Sequence, residues 1–200
     1  MTAERRASVT RETKETEVRV ELDLDGQGRV EVETGLGMLD HLVAQLGKHA
    51  VFDLTLRCQG DLSVDAHHTV EDVGLVLGQA LREALGDGAG LVRMADALVP
   101  LDEALASVAV DVSGRGYAVL EASWTGERIG ELPATLIGHL LWSLASEARV
   151  TVYARVLRGV DDHHKAEALF KALGRALGAA TRLDPRLAGD VPSTKGTLRA

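Results

Sequence analysis

Two stretches of the chain repeat apolar residues with the period of a helix, and each begins just after a pair of histidines. After Glu71 the apolar positions are Val73, Leu77, Ala80, Leu81, Ala84 and Leu85. After Glu167 they are Leu169, Phe170, Leu173, Leu177 and Ala180. Such spacing puts one apolar stripe along each helix. Asp65 stands ahead of the first helix and Asp161 or Asp162 ahead of the second, as expected N-caps. The pairs His67-His68 and His163-His164 therefore fall in first turns. Before each pair, residues 51–57 and 150–156 alternate apolar with polar, which predicts a half-buried strand. Earlier still, a second apolar helical stretch opens on a single histidine, His41 or His139.

The same order occurring twice marks an internal duplication. The single histidine precedes the pair by 26 residues in the first copy and by 24 in the second. Upstream, Val18 to Leu22 alternates into the turn Asp25-Gly26-Gln27-Gly28, and Ser107 to Val112 into Ser113-Gly114-Arg115-Gly116. Both read as hairpins. The expected fold class is α+β, with an internally duplicated strand–strand–helix–strand–helix unit and helices packed between or against sheets. One catalytic domain, 1–200, would comprise repeats at about 11–95 and 96–192. The run Gly86-Asp87-Gly88-Ala89-Gly90 reads as a helix end and link, because no strand leads directly into it. Asp23-Leu24-Asp25-Gly26 reads as a turn rather than a phosphatase nucleophile motif.

Composition narrows the setting. A chain of 200 residues can bury a sizeable core, and with 3% aromatics that core rests on Ala, Val and Leu. A net charge of -8 argues against sustained nucleic-acid binding. The single cysteine, Cys58, rules out an intrachain disulfide and fits a reducing compartment. No apolar run reaches the roughly 18 residues of a membrane span, and the start of the chain lacks an apolar signal core. A cytoplasmic protein without membrane partners is expected.

The duplicated element His-His-x-x-Glu carries the chemistry. Adjacent helical residues diverge by about 100°, so the two histidines of a pair should not share one ion. Glu71 and Glu167 lie three and four residues on and can join either histidine. Two metal sites, each fed by different members of the pairs, are the simplest arrangement. Six of seven histidines stand at duplicated positions: His41, His67, His68, His139, His163 and His164. With the two glutamates they make eight ligands, four per ion. Imidazole and carboxylate without thiolate suit manganese, iron or zinc. The order and spacing are not those of the HExxH zinc motif. One such element alone would usually be a polar helix start; its repetition points to metal. His49 has no duplicated partner, Glu147 standing in its place, and its role stays open between substrate contact, support of the ligands and plain surface.

Seven short stretches run in order along nearly the whole chain: residues 11–16 (RETKET), 38–41 (MLDH), 65–72 (DAHHTVED), 100–104 (PLDEA), 111–115 (DVSGR), 163–168 (HHKAEA) and 192–196 (PSTKG). Each is weak alone. The ordered set closely resembles the imidazoleglycerol-phosphate dehydratase family of histidine biosynthesis. The resemblance implies dehydration of D-erythro-imidazole glycerol phosphate to imidazole acetol phosphate. It implies two Mn2+ ions per site and a 24-subunit shell with sites at subunit interfaces. It implies one ion on His41, His68, Glu71 and His164, and the other on His67, His139, His163 and Glu167. Glu15 matches the family's acid/base. Arg93, Arg115, Ser193, Thr194 and Lys195 match substrate-binding positions, most of them suited to phosphate, and His49 matches another substrate-site position. Gly138, Leu140 and Leu141 depart from the Glu and Phe often found around His139, which concerns packing rather than ligation.

The C–H bond to be broken is not next to a carbonyl, so base alone faces a high barrier. A substrate imidazole held between two divalent ions can lose its N–H proton and expel the neighbouring hydroxyl. The resulting diazafulvene acidifies the adjacent C–H for a carboxylate such as Glu15. Two other readings of paired metals are a phosphoester hydrolase, told by free phosphate, and a metal store, told by far more than two ions per chain.

Overall fold

The computed structural model describes residues 4–187 and 189–198. The first half comprises β1 (Arg6–Glu12), β2 (Thr16–Asp23), β3 (Val30–Glu33), α1 (Gly37–Ala50), β4 (Asp53–Gly60) and α2 (His67–Leu85). The second comprises β5 (Met94–Leu101), β6 (Ala104–Asp111), β7 (Tyr117–Glu121), the short pair β8 (Arg128–Ile129) and β9 (Leu132–Pro133), α3 (Thr135–Ala148), β10 (Thr151–Arg158) and α4 (Asp162–Ala180). Alternation makes the strands: in β2, Val18, Val20 and Leu22 are buried while Glu17, Arg19 and Glu21 face water.

Each half forms one four-stranded sheet, in the orders β1-β2-β4-β3 and β5-β6-β10-β7. The registers match: Val20 pairs with Leu56 in the first sheet as Val108 pairs with Ala154 in the second. The α+β class and the duplication are as expected, but each half places three strands of its four-stranded sheet ahead of its first helix, not two, and the second half adds the β8–β9 pair. The expected hairpins at the Asp25 and Ser113 turns do not form. The tight hairpins are β1–β2 and β5–β6, whereas β3 and β7 lie parallel to β4 and β10 at the far edge. The strand orders give the reason: β2 and β6 are each already paired on both sides, so β3 and β7 take the open edges of β4 and β10. In the first half Asp53, at the start of β4, also accepts the backbone N–H of Gln27 and of Arg29 and the Arg29 guanidinium, which holds the turn over the start of β4.

The helices fill the space between the sheets. α2 covers β1 and β2, α4 covers β5 and β6, α2 crosses α3, and α1 crosses α4. The crossings are close because glycine occupies matching places. A Cβ at Gly78 would lie 2.5 Å from the Leu144 carbonyl, and one at Gly174 would lie 2.4 Å from that of Leu46. Rings contribute little to the core, which is Ala, Val and Leu with Phe52 and Phe170.

The N-termini that carry the histidines are capped differently. Asp161 is the N-cap of α4 and accepts the N–H of His163 and His164. In α2 the N-cap position falls on Ala66, one residue after the expected Asp65, which still accepts the His67 N–H at 2.7 Å. α1 has no side-chain cap of its own. Its Met38 N–H is taken at 2.6 Å by Glu131, from the β8–β9 insertion that only the second half has. The segment leading into the insertion is tied to α4 by Asp162, which accepts the N–H of Thr125 and Gly126, and by the buried Lys165, which donates to the Ser123 carbonyl and the Thr125 hydroxyl.

Candidate metal centre

The duplicated fold brings the ligand types together in two matching groups. His41 of α1 meets His163 and Glu167 of α4, and His139 of α3 meets His67 and Glu71 of α2. In each group the ligand atoms lie within 4.8 Å of one another. Glu167 Oε2 is 3.0 Å from His41 Nε2 and 3.2 Å from His163 Nε2. Glu71 Oε2 is 3.7 Å from His139 Nε2 and 3.8 Å from His67 Nε2. Ligands about 2.1 Å from a common ion sit roughly 3.0–3.5 Å apart, so the Glu167 spacings fit an ion and the Glu71 spacings are a few tenths of an ångström wider. His139 Nε2 adds a second argument. It is buried without a hydrogen-bond partner, which is costly unless something coordinates it.

Each group draws on both repeats, as expected, but membership differs from the expected sets. Within one chain His41 joins His163 and Glu167, not Glu71, and neither His68 nor His164 enters a group. The cause is the divergence of adjacent residues. The rings of His67 and His68 stand at 88°, and those of His163 and His164 at 85°. His68 Nδ1 instead bonds Asp61 at 3.0 Å, and His164 Nδ1 bonds Glu103 at 2.8 Å. Those contacts raise the pKa of both histidines, and the His164 bond is the main reason the Glu103 carboxyl is held down at about 2.

Glu15 sits in the β1–β2 turn, with its carboxylate 3.8 Å from His68 Nδ1 and 55% exposed. The turn is fastened to α2 by Asp72, buried next to Glu71, which accepts from Arg11 and from the Thr16 hydroxyl. Burial pushes the Glu167 carboxyl up, but hydrogen bonds from Lys171 and His41 outweigh it and hold it at about 2. Lys171 Nζ lies 2.7 Å from Glu167 Oε1. His49 lies further along α1, and burial, with Lys171 and Arg175 nearby, lowers its pKa.

The expected phosphate-site residues gather at the other end of the molecule. The Arg93 N–H bonds the Ala180 carbonyl at the C-terminus of α4, whereas His163 opens that helix. At 1.5 Å per residue this is a separation of about 25 Å. The Arg93 guanidinium is engaged by Asp111 and by the Pro192 carbonyl, and so anchors the segment bearing Ser193, Thr194 and Lys195. Arg115 follows β6, in a turn packed on the end of α3 through Gly116. These residues do not converge on the metal-type groups of their own chain.

Lys171, Asp61 and Glu103 were not expected at the site. Lys171 had a signal, standing four residues after Glu167 on a helix. Asp61 and Glu103 had little, because their histidine partners are distant in sequence or lie across a loop.

A sequence model described as imidazoleglycerol-phosphate dehydratase matches residues 34–177. The chain belongs to the imidazoleglycerol-phosphate dehydratase family. It is 56% identical to the Chloroflexus aggregans imidazoleglycerol-phosphate dehydratase over 99% of this chain and 97% of that one. It is 54% identical to the Roseiflexus relative over 97% of this chain and 98% of that one. The crystal structure of the Pyrococcus furiosus enzyme superposes with a TM-score of 0.81 at 34% identity, covering 94% of this chain and 99% of the other. The Staphylococcus aureus enzyme gives 0.77 at 32% identity, covering 89% and 99%. The family places this chain among the dehydratases, carbon–oxygen lyases of histidine biosynthesis. No helix among the described residues is long and apolar enough to cross a membrane.

Proposed function

We propose that the chain dehydrates D-erythro-imidazole glycerol phosphate to imidazole acetol phosphate in the cytoplasm, as one catalytic unit of two repeats using two Mn2+ ions per site. The observation that carries this reading is the pair of matching three-ligand groups, each closed by one glutamate and each short of a fourth ligand. His68 and His164 are the natural fourth ligands. They are turned away from both groups of their own chain, so a neighbouring copy would supply them. The separation of about 25 Å along α4 between the histidines and the Arg93 end argues the same way. A small phosphate ester can meet both ends only where two copies join.

The surface supports self-assembly. The outer face of the first sheet is polar throughout, carrying Glu17, Arg19, Glu21, Arg57 and Gln59. That of the second exposes Met94, Leu98, Tyr117, Tyr153 and Leu157. An apolar patch of this kind marks an interface, in keeping with the 24-subunit shell that the resemblance implies.

The divalent ions supply Lewis acidity that eases loss of a ring N–H proton. The remaining work falls to the chain. Glu15, exposed and without a hydrogen bond to its carboxylate among those described, takes the carbon-bound proton. Arg115, Ser193, Thr194 and Lys195 of the neighbouring copy hold the phosphate, with Arg93 beneath them. His49, on α1, would be a further contact to the same ligand.

The test is an assay of imidazole glycerol phosphate after chelation and after Mn2+ is returned. Activity should vanish and reappear, with water lost and phosphate retained in the product. Release of inorganic phosphate, or full turnover by metal-free protein, would overturn the reading.

A further inference from the structure

The strand registers equate Glu15 with Glu103. Each directly precedes the second strand of its half, at Thr16 and Ala104, and His68 corresponds to His164 in the same way. The two glutamates nevertheless do different things. Glu103 is fully engaged: Oε2 takes the His164 Nδ1 bond, and Oε1 accepts the N–H of Val160 and Asp161 at 3.1 and 2.9 Å. Glu15 is held by its backbone alone. Its N–H bonds the Thr13 hydroxyl, its carbonyl accepts the Asp61 N–H, and its carboxylate stops 3.8 Å short of His68 Nδ1. The Nδ1 bond of His68 goes to Asp61 instead. Asp61 follows β4, and the residue that follows β10 is Gly159, which has no side chain to offer.

We propose that Asp61 and Glu103 are positioning residues for His68 and His164, and that Asp61 has taken over in the first half the task Glu103 performs in the second. A carboxylate at Nδ1 selects the tautomer whose Nε2 lone pair is free and fixes the ring that presents it. With Asp61 in that role, the Glu15 carboxylate is released from its symmetric partner's duty and left for proton transfer. The inference rests on the metal reading above, and it concerns which residue aims each histidine.

The experiment is a Mn2+ titration of the chelator-stripped, assembled full chain, with bound metal read by elemental analysis and folding by thermal melt. Loss of an aiming contact typically weakens metal binding about 10–100-fold. Asp61→Ala should show a loss in that range. Asp61→Asn, whose amide oxygen still accepts the Nδ1–H, should recover most of it. Glu103→Ala should show a loss in the same range as Asp61→Ala, and Glu15→Ala should bind within about twofold of wild type. Asp61→Ala holding Mn2+ as tightly as wild type would overturn the inference. So would Asp61→Asn failing as badly as Asp61→Ala, or Glu15→Ala losing metal to the same extent. Wild type that binds no Mn2+ would instead bring down the metal reading itself, an outcome distinct from these.

Discussion

The two halves share strand order, register, helix crossings and ligand positions, but differ around the first strand hairpin. In the first half Arg11, Thr16 and Asp72 form a polar network beneath the Glu15 turn. Val99, Ala104 and Ala168 occupy the matching places in the second half, and Ala104 and Ala168 are fully buried. The second half spends its own differences elsewhere. It carries the β8–β9 insertion, which caps α1, and it exposes Met94, Leu98, Tyr117 and Tyr153 on its outer sheet face. What is duplicated is the scaffold of the two three-ligand groups. On the proposed reading, what differs serves proton transfer in one half and assembly in the other. A buried polar network such as Arg11–Asp72–Thr16 is costly unless fully satisfied, so its presence in one copy alone points to work done there.

The comparison can be broken most sharply at Glu15. Glu15→Gln should lower kcat by roughly 10²–10⁴-fold while metal content stays at the wild-type level; a variant with near-normal kcat would remove the functional asymmetry between the halves. The helix crossings should instead behave alike. Gly78→Ala and Gly174→Ala each force a methyl onto a backbone carbonyl, and each should cost about 3 kcal/mol in denaturant unfolding. A cost confined to one of them would show that the halves are packed less equally than the registers indicate.

Asp72→Ala should cost about 2 kcal/mol, because it strands Arg11 and the Thr16 hydroxyl. Copying the second half with Arg11→Val, Thr16→Ala and Asp72→Ala together should recover much of that stability but not activity. Full activity in the triple variant would mean that the network does not serve Glu15. The smallest effect concerns His49. Its folded pKa is below the ordinary histidine value because of burial first, then Lys171 and Arg175. The unfolded chain therefore binds the proton more readily, and stability falls as pH drops below about 6.5 toward the folded value. His49→Gln should flatten that part of a melt-versus-pH curve. An unchanged slope between pH 7 and 5 would show that His49 contributes nothing to it.

Much was legible in the sequence where local pattern suffices. The period of Val73, Leu77 and Leu81 makes α2, the equivalent run makes α4, and the repeated His-His-x-x-Glu places a divergent pair at the start of each. Pairing was less legible. The Asp25 turn reads as a hairpin, yet residues 30–33 lie beside β4, because β2 is already paired on both sides by β1 and β4. The grouping of ligands within one chain was not legible for a similar reason. Periodicity says that His67 and His68 point apart, but not which neighbour each one meets.

The sequence alone determined the duplicated α+β plan, the ligand types and the two first turns that bear them, because these follow from side-chain period and residue chemistry. The tertiary structure decided that His41 joins His163 and Glu167, that Asp61 and Glu103 hold the two outer histidines, and that Arg93 stands a helix length from the metal groups. Those facts depend on contacts between residues tens of positions apart. Such contacts are selected by packing and hydrogen-bond satisfaction across the whole fold, and no local pattern encodes them.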